Sequence, residues 1–62
     1  MKKIFNLIIN KGDVVSKDYL EKISGRKFHR VDYDGFNVGD KIRGYARNGR
    51  LMTIFIITEK IN

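Results

Sequence analysis

Asn48-Gly49 sits between two stretches that alternate in polarity, residues 41–47 and 50–57. Asn-Gly flanked in this way is among the strongest short-range hairpin signals, because both turn residues of a type I′ turn take positive φ. A two-residue loop dictates the register. Residue 47 then faces 50, 45 faces 52, 43 faces 54 and 41 faces 56. One face of the hairpin carries Ile42, Gly44, Ala46, Leu51, Thr53, Phe55 and Ile57, which reads as core. The other carries Lys41, Arg43, Tyr45, Arg47, Arg50, Met52, Ile54 and Ile56. The second strand is apolar on both faces, so it belongs in the middle of a sheet or under a cover.

The rest of the chain supplies partners for that hairpin. Ile4–Ile9 is apolar and β-branched, ends at the turn residues "NKGD", and reads as a first strand with Phe5, Leu7 and Ile9 on one face. "VVSKDYLEKISG" has the composition of a short helix. Ser16 is the N-cap, Val15 and Leu20 form a hydrophobic staple, and Asp18 favours the first turn. Tyr19, Leu20 and Ile23 make an apolar stripe, and Gly25 ends the helix. About two turns of helix do not persist alone, so this one must lean on the sheet. Residues 26–33 read as another strand with Val31 and Tyr33 on one face. Phe28 falls on the other, which calls for a bulge or a late start. In the loop 34–40, Phe36 and Val38 are expected to plug the sheet end. The expected fold class is α+β: a small, mostly antiparallel β-sheet, or a partly open β-barrel, with one short helix after the first strand.

Sixty-two residues make one domain, 1–62, near the lower limit for folding on a hydrophobic core alone. A binding module or a subunit of a small oligomer fits this size better than an enzyme with an elaborate pocket. There is no cysteine, and His29 is the only histidine, so neither disulfides nor a zinc-type site is expected, and no cofactor is implied. His29 reads as an ordinary surface or half-buried residue. The first apolar run is short and interrupted by Asn6, and nothing approaches the ~20 apolar residues of a membrane span. A cytoplasmic location without membrane association is the expectation.

Thirteen basic residues oppose seven acidic ones, for a formal charge of +6. Such a field favours polyanions or acidic protein surfaces. Lys41, Arg43, Arg47 and Arg50 surround Tyr45 over the apolar floor of Met52, Ile54 and Ile56. Phosphates can neutralise the cations, and a base can stack on Tyr45 or on a guanidinium plane. Like charges at 47 and 50 repel, and a phosphate between them would make the pair useful. The plain alternative is that long cationic stems cover an apolar sheet face. A third option is a protein interface, including a homodimer, anchored on Met52, Ile54 and Ile56.

From Tyr19 onward the order of motifs resembles the ASCH branch of the PUA-like superfamily. The matching residues are Ser24-Gly25, Lys27, Phe36 and Val38-Gly39-Asp40, with Ile42 and the hairpin behind them. The resemblance implies a small β-barrel with RNA-related binding in the cleft beside the first helix. It implies a structural part for the Gly39-Asp40 turn. One activity in that family removes an acetyl group from a modified cytidine, using a lysine and a threonine after a "GRK" turn and a later glutamate. Gly25-Arg26-Lys27 supplies that lysine, but Arg30 stands where the threonine would be, and Phe28 offers no hydroxyl. Glu59 is the acid nearest the C-terminus. Without a nucleophile, no hydrolysis by that route is expected. The chain is also short for the family, lacking strands and a helix that complete the barrel, which makes a dimer or a partner more attractive.

Two functions compete on these grounds. The first is a small basic module for RNA or single-stranded nucleic acid, using Arg26, Lys27, Arg30, Lys41, Arg43, Tyr45, Arg47 and Arg50. The second is a phage or mobile-element accessory protein that grips an acidic host protein, or a defence complex, and inhibits it.

Overall fold

The computed structural model describes residues 3–62. The chain runs β1 (Lys3–Asn10), α1 (Lys17–Ser24), β2 (Arg30–Tyr33), β3 (Lys41–Tyr45) and β4 (Leu51–Ile61). The four strands form one open sheet in the order β1-β4-β3-β2. β1 runs parallel to β4, whereas β2–β3 and β3–β4 are antiparallel. The strand that is apolar on both faces, β4, is an inner strand, as its pattern predicts. The sheet does not close. Its outer strands are β1 and β2, and one short helix lies on one face.

Strand pairing makes rows across the sheet that alternate between its faces. Tyr33, Ile42, Phe55 and Phe5 form one row, and Val31, Gly44, Thr53 and Lys3 another, on the helix side. Asp32, Arg43, Ile54 and Ile4 form the row between them on the open side. The core contains Leu7, Ile9, Val15, Leu20, Phe28, Ile42, Phe55 and Ile57. Phe55 is fully buried, stacked with Phe5 at 5.5 Å between centroids and edge-on to Phe28 at 6.2 Å.

α1 forms where the capping residues put it. Ser16 Oγ accepts from the Tyr19 N–H at 3.1 Å. Gly25 adopts φ 71° and donates its N–H to the Glu21 carbonyl, ending the helix. Leu20 is fully buried and Val15 nearly so, completing the staple. Burying a leucine in this way contributes about 1.5–3 kcal/mol, which holds a helix too short to persist in water. Tyr19 and Ile23, expected beside Leu20, are instead exposed. A helix resting on a four-stranded sheet buries a narrow strip, and Leu20 occupies it.

The hairpin departs from expectation at its tip. Gly49 has φ 86°, but no residue other than glycine has positive φ among the described residues, so Asn48 does not join a type I′ turn. The Ala46 carbonyl accepts from the Gly49 N–H and the Ala46 N–H donates to the Arg50 carbonyl, both at 2.9 Å. The loop is therefore Arg47-Asn48-Gly49, which needs only one left-handed residue. The Asn48 side chain accepts from the Arg50 N–H at 2.9 Å. Arg47 and Arg50 do not face each other. Tyr45 pairs with Leu51 rather than with Met52, and a register shift between Gly44 and Tyr45 restores the expected pairing of 41 with 56 and 43 with 54. Met52 is the extra residue. It leaves the Ile54–Ile56 face and packs against the core. Ala46 and Leu51, expected in the core, are half-buried.

Two further expectations change. β2 starts late, at Arg30 rather than at 26. Phe28 precedes the strand and turns into the core, so the parity conflict disappears. Phe36 and Val38 do not plug the sheet end. They remain 42% and 59% exposed, with Phe36 lying against the Tyr33 ring at 5.5 Å. The Gly39-Asp40 turn is structural. Asp40 Oδ2 accepts from the Asn37 N–H at 2.9 Å, and the Gly39 N–H donates to the Ile57 carbonyl at 2.7 Å.

Candidate nucleic-acid interface

The cations nominated from the sequence divide into two groups. Lys41, Arg43, Tyr45 and Arg30 lie on or beside the open face of β2 and β3. Arg26, Lys27, Arg47 and Arg50 gather at one end of the molecule, where the α1–β2 turn meets the hairpin tip.

Two of the three cations of the sheet group are neutralised, whereas Lys41 is exposed and forms no salt bridge among the described residues. Arg43 makes a two-pronged contact with Asp34, at 2.8 and 3.1 Å. Arg30 pairs with Asp32, and its guanidinium carbon lies 4.1 Å from the centroid of the Tyr45 ring. The hydrogen bond that Arg30 donates to the Asp32 carboxylate raises the Arg30 pKa above its ordinary value. One face of Tyr45 is thus covered by a cation of this chain, not offered to a base. Pairing explains why. Asp32 lies across from Arg43, and Arg30 across from Tyr45. Alternation in "RVDYD" already places Arg30, Asp32 and Asp34 on the side of Lys41 and Arg43, a signal that identifies the acidic partners once β2 is set beside β3.

The end group differs. Among the described residues, Arg26, Lys27, Arg47 and Arg50 form no salt bridge. Lys27, His29 and Arg47 line an open cleft with Lys17, Phe28, Ala46 and Met52. Arg26 and Arg50 line an adjoining hollow with Ala46, Asn48, Leu51 and Met52. Ala46 and Met52 are common to both, so the two hollows share an apolar floor. Lys17 and His29 were not singled out from the sequence as binding residues. Lys17 is a helix residue far along the chain from the hairpin, and only tertiary packing brings it near Arg47.

The α1–β2 turn is held from beneath. Glu21 is buried and accepts from the Phe28 N–H at 2.7 Å. Lys17 lies 3.3 Å from the same carboxylate oxygen. These contacts, the Phe28 N–H first, hold the Glu21 carboxyl below its ordinary pKa. The His29 N–H donates to the Tyr45 carbonyl at 2.7 Å and ties the turn to β3. Cationic side chains therefore project from a backbone anchored to the helix, the core and the sheet.

Ile54 and Ile56 stay on the open face, paired with Ile4 and Asn6, but Met52 does not join them. Lys27 and Glu59 are not brought together: Lys27 adjoins the hairpin tip, and Glu59 lies at the far end of β4, paired with Ile8. No group of three or more metal-ligating side chains occurs among the described residues. No helix there is long and apolar enough to cross a membrane.

No family model, curated protein or solved structure matches the chain. The ASCH resemblance consequently rests on its short motifs, and the structure they accompany is an open four-stranded sheet.

Proposed function

We propose that this protein is a small basic module that binds RNA or single-stranded nucleic acid through the end formed by the α1–β2 turn and the hairpin tip. The observation that carries this reading is the gathering of Arg26, Lys27, Arg47 and Arg50, none of them in a salt bridge among the described residues although Asp18 and Glu21 line a hollow beside Arg26 and Lys27, around a shared apolar floor. Phosphates would sit between these cations, and the floor with the exposed His29 ring would receive a base. Arg43 and Arg30, already paired with carboxylates, contribute little. Tyr45 acts as a support for Arg30. The reaction is binding alone; no catalytic group is assigned.

A labelled single-stranded oligonucleotide titrated by fluorescence anisotropy at rising salt tests this. With four phosphates neutralised, log K against log salt has a slope of about −3, and Arg26→Ala with Arg47→Ala reduces its magnitude by about 1.4. Arg43→Ala leaves it nearly unchanged. Absence of binding at low salt removes the proposal. Equal losses from Arg43→Ala and Arg47→Ala move the interface back to the sheet face.

The competing reading, an accessory protein that occupies a host protein, draws on Ile54 and Ile56 and on the exposed Ile4 paired with Ile54. A pull-down from nuclease-treated lysate separates the two, since a protein partner survives nuclease and an RNA-bridged one does not.

A further inference from the structure

β1 is an outer strand of eight residues. Its positions 4–10 carry neither charge nor proline, in a chain with a formal charge of +6. Outer strands of this length are templates for pairing, and sheets ordinarily guard them with charge, proline, a bulge or a covering segment; here Lys3 is the strand's one charge, and the register shift at Leu7 and Ile8 takes its extra residue, Thr58, from β4 rather than from β1. The direction of the backbone groups of β1 follows from its inner side. The Lys11 N–H donates to the Ile61 carbonyl at 2.7 Å, and the Leu7 carbonyl accepts from the Thr58 hydroxyl at 3.4 Å. Backbone groups alternate sides along a strand. Odd positions therefore turn toward β4, and Ile4, Asn6 and Ile8 present their N–H and C=O groups at the free edge. The side chains of the same three residues lie on the open face, where Ile4 is 63% and Ile8 54% exposed.

We propose that this edge pairs with the same edge of a second copy of the chain, antiparallel and centred on Asn6. In that register Ile4 meets Ile8 of the copy, Phe5 meets its Leu7, and the two Asn6 side chains meet each other. The free backbone groups of Ile4, Asn6 and Ile8 find mutual partners, and the carboxamides can exchange hydrogen bonds. Centring on Leu7 instead sets Asn6 against Ile8 and leaves each amide facing methyl groups. The two-fold axis stands perpendicular to the sheet and joins two four-stranded sheets into a continuous one.

Charge selects the occupant. The edge is neutral from 4 to 10, with Lys3 and Lys11 at its two ends, whereas the cluster of four cations lies at the α1–β2 turn and hairpin tip. An acidic partner is drawn to that end. A copy of the neutral edge matches β1 in charge, in pattern and in its central amide. Repulsion between two positively charged molecules still opposes pairing at low salt. Association therefore strengthens as salt rises, opposite in sign to nucleic-acid binding.

Sedimentation equilibrium of the full chain, from micromolar to millimolar concentration at low and high salt, tests the proposal. The expected result is a shift from the 7.3 kDa species toward twice that mass, greater at high salt. A single strand pair lies at the small end of interface sizes, below about 1,200 Å², so micromolar affinity is expected. Asn6→Pro removes the donor at the centre of the pair, and proline is tolerated on an outer strand where the N–H faces solvent. It should weaken association about tenfold or more, with an unchanged circular-dichroism spectrum. Ile8→Lys, which guards the edge with charge, is the second variant should proline disturb β1. A chain that stays monomeric throughout at high salt overturns the proposal, as does a folded variant that associates like the parent. Neither variant touches Arg26, Lys27, Arg47 or Arg50, so this test and the oligonucleotide titration fail independently.

Discussion

Replacing Gly44 with alanine tests whether Phe28 anchors the cationic turn. Gly44 lies on the helix side of β3, opposite Val31 in β2 and Thr53 in β4. Its φ is not positive, so alanine meets no backbone penalty there. The obstacle is space. A Cβ at this position would approach three atoms of the Phe28 ring at 2.8, 2.8 and 2.9 Å. Comfortable carbon–carbon contact begins near 3.5 Å, so ring or strand must yield by roughly 0.7 Å. The ring has little room, being only 5% exposed and edge-on to Phe55. Its backbone N–H is held by Glu21 at 2.7 Å.

Overpacking of this kind costs about 1–3 kcal/mol. Alanine restricts the unfolded chain and returns about 0.4–1 kcal/mol. The net effect is a destabilisation of roughly 1–2 kcal/mol. A 62-residue domain has a total stability of about 3–9 kcal/mol, so the loss is a substantial fraction, and Tm falls by roughly 4–16 °C. Urea denaturation of Gly44→Ala, Phe28→Leu and the double variant measures it. Leucine in place of the ring frees the space, so the alanine cost should largely vanish in that background, a coupling of about 1–2 kcal/mol. A higher urea midpoint for Gly44→Ala, or an equal cost in both backgrounds, refutes the steric argument. Because Phe28 sits between Lys27 and His29, the displaced ring should also weaken oligonucleotide binding.

Thr53 is fully buried, and its hydroxyl has no hydrogen-bond partner among the described residues. Thr53→Val removes an unsatisfied polar group at nearly constant shape and should stabilise the fold by about 1–2 kcal/mol in urea denaturation; a lower midpoint would mean that the hydroxyl is satisfied. Glu21 has a folded-state pKa below its ordinary value of 4.5, chiefly through the Phe28 N–H. Its contribution is therefore present above that value and is lost as pH falls through the lower folded pKa. Urea midpoints should decline on acidification below pH 4.5, and Glu21→Gln should be less stable at neutral pH with a shallower acid decline. A parent whose midpoint rises on acidification contradicts this assignment.

What could be read from residue order is what local chemistry controls. Ser16, the Val15–Leu20 staple and Gly25 define the ends of α1 because capping involves neighbours a few residues apart. Alternation assigned Ile42, Gly44, Thr53, Phe55 and Ile57 to the buried face, because a strand's side chains alternate whatever it pairs with. The register expected from a two-residue loop holds in the body of the hairpin, where Lys41 pairs with Ile56 and Arg43 with Ile54. It fails at the tip. A three-residue loop with Gly49 alone left-handed shifts the closing pair to Ala46 and Arg50, and an extra residue at Met52 restores the register further in.

The candidate site depended on contacts between distant segments. Arg43 and Tyr45 looked available because the chain does not say which strand flanks β3; β2 brings Asp32, Asp34 and Arg30 onto that face and occupies both residues. Packing of Phe28 over Gly44 carries Lys27 and His29 to the hairpin tip, beside Arg47. Strand order alone makes β1, uncharged from Ile4 to Asn10, an outer strand, with Ile4, Asn6 and Ile8 facing outward. Charge sign and hydrophobic rhythm are properties of residues in order. Which charges cancel, and which edge lies open, are properties of neighbours that meet only when the sheet assembles.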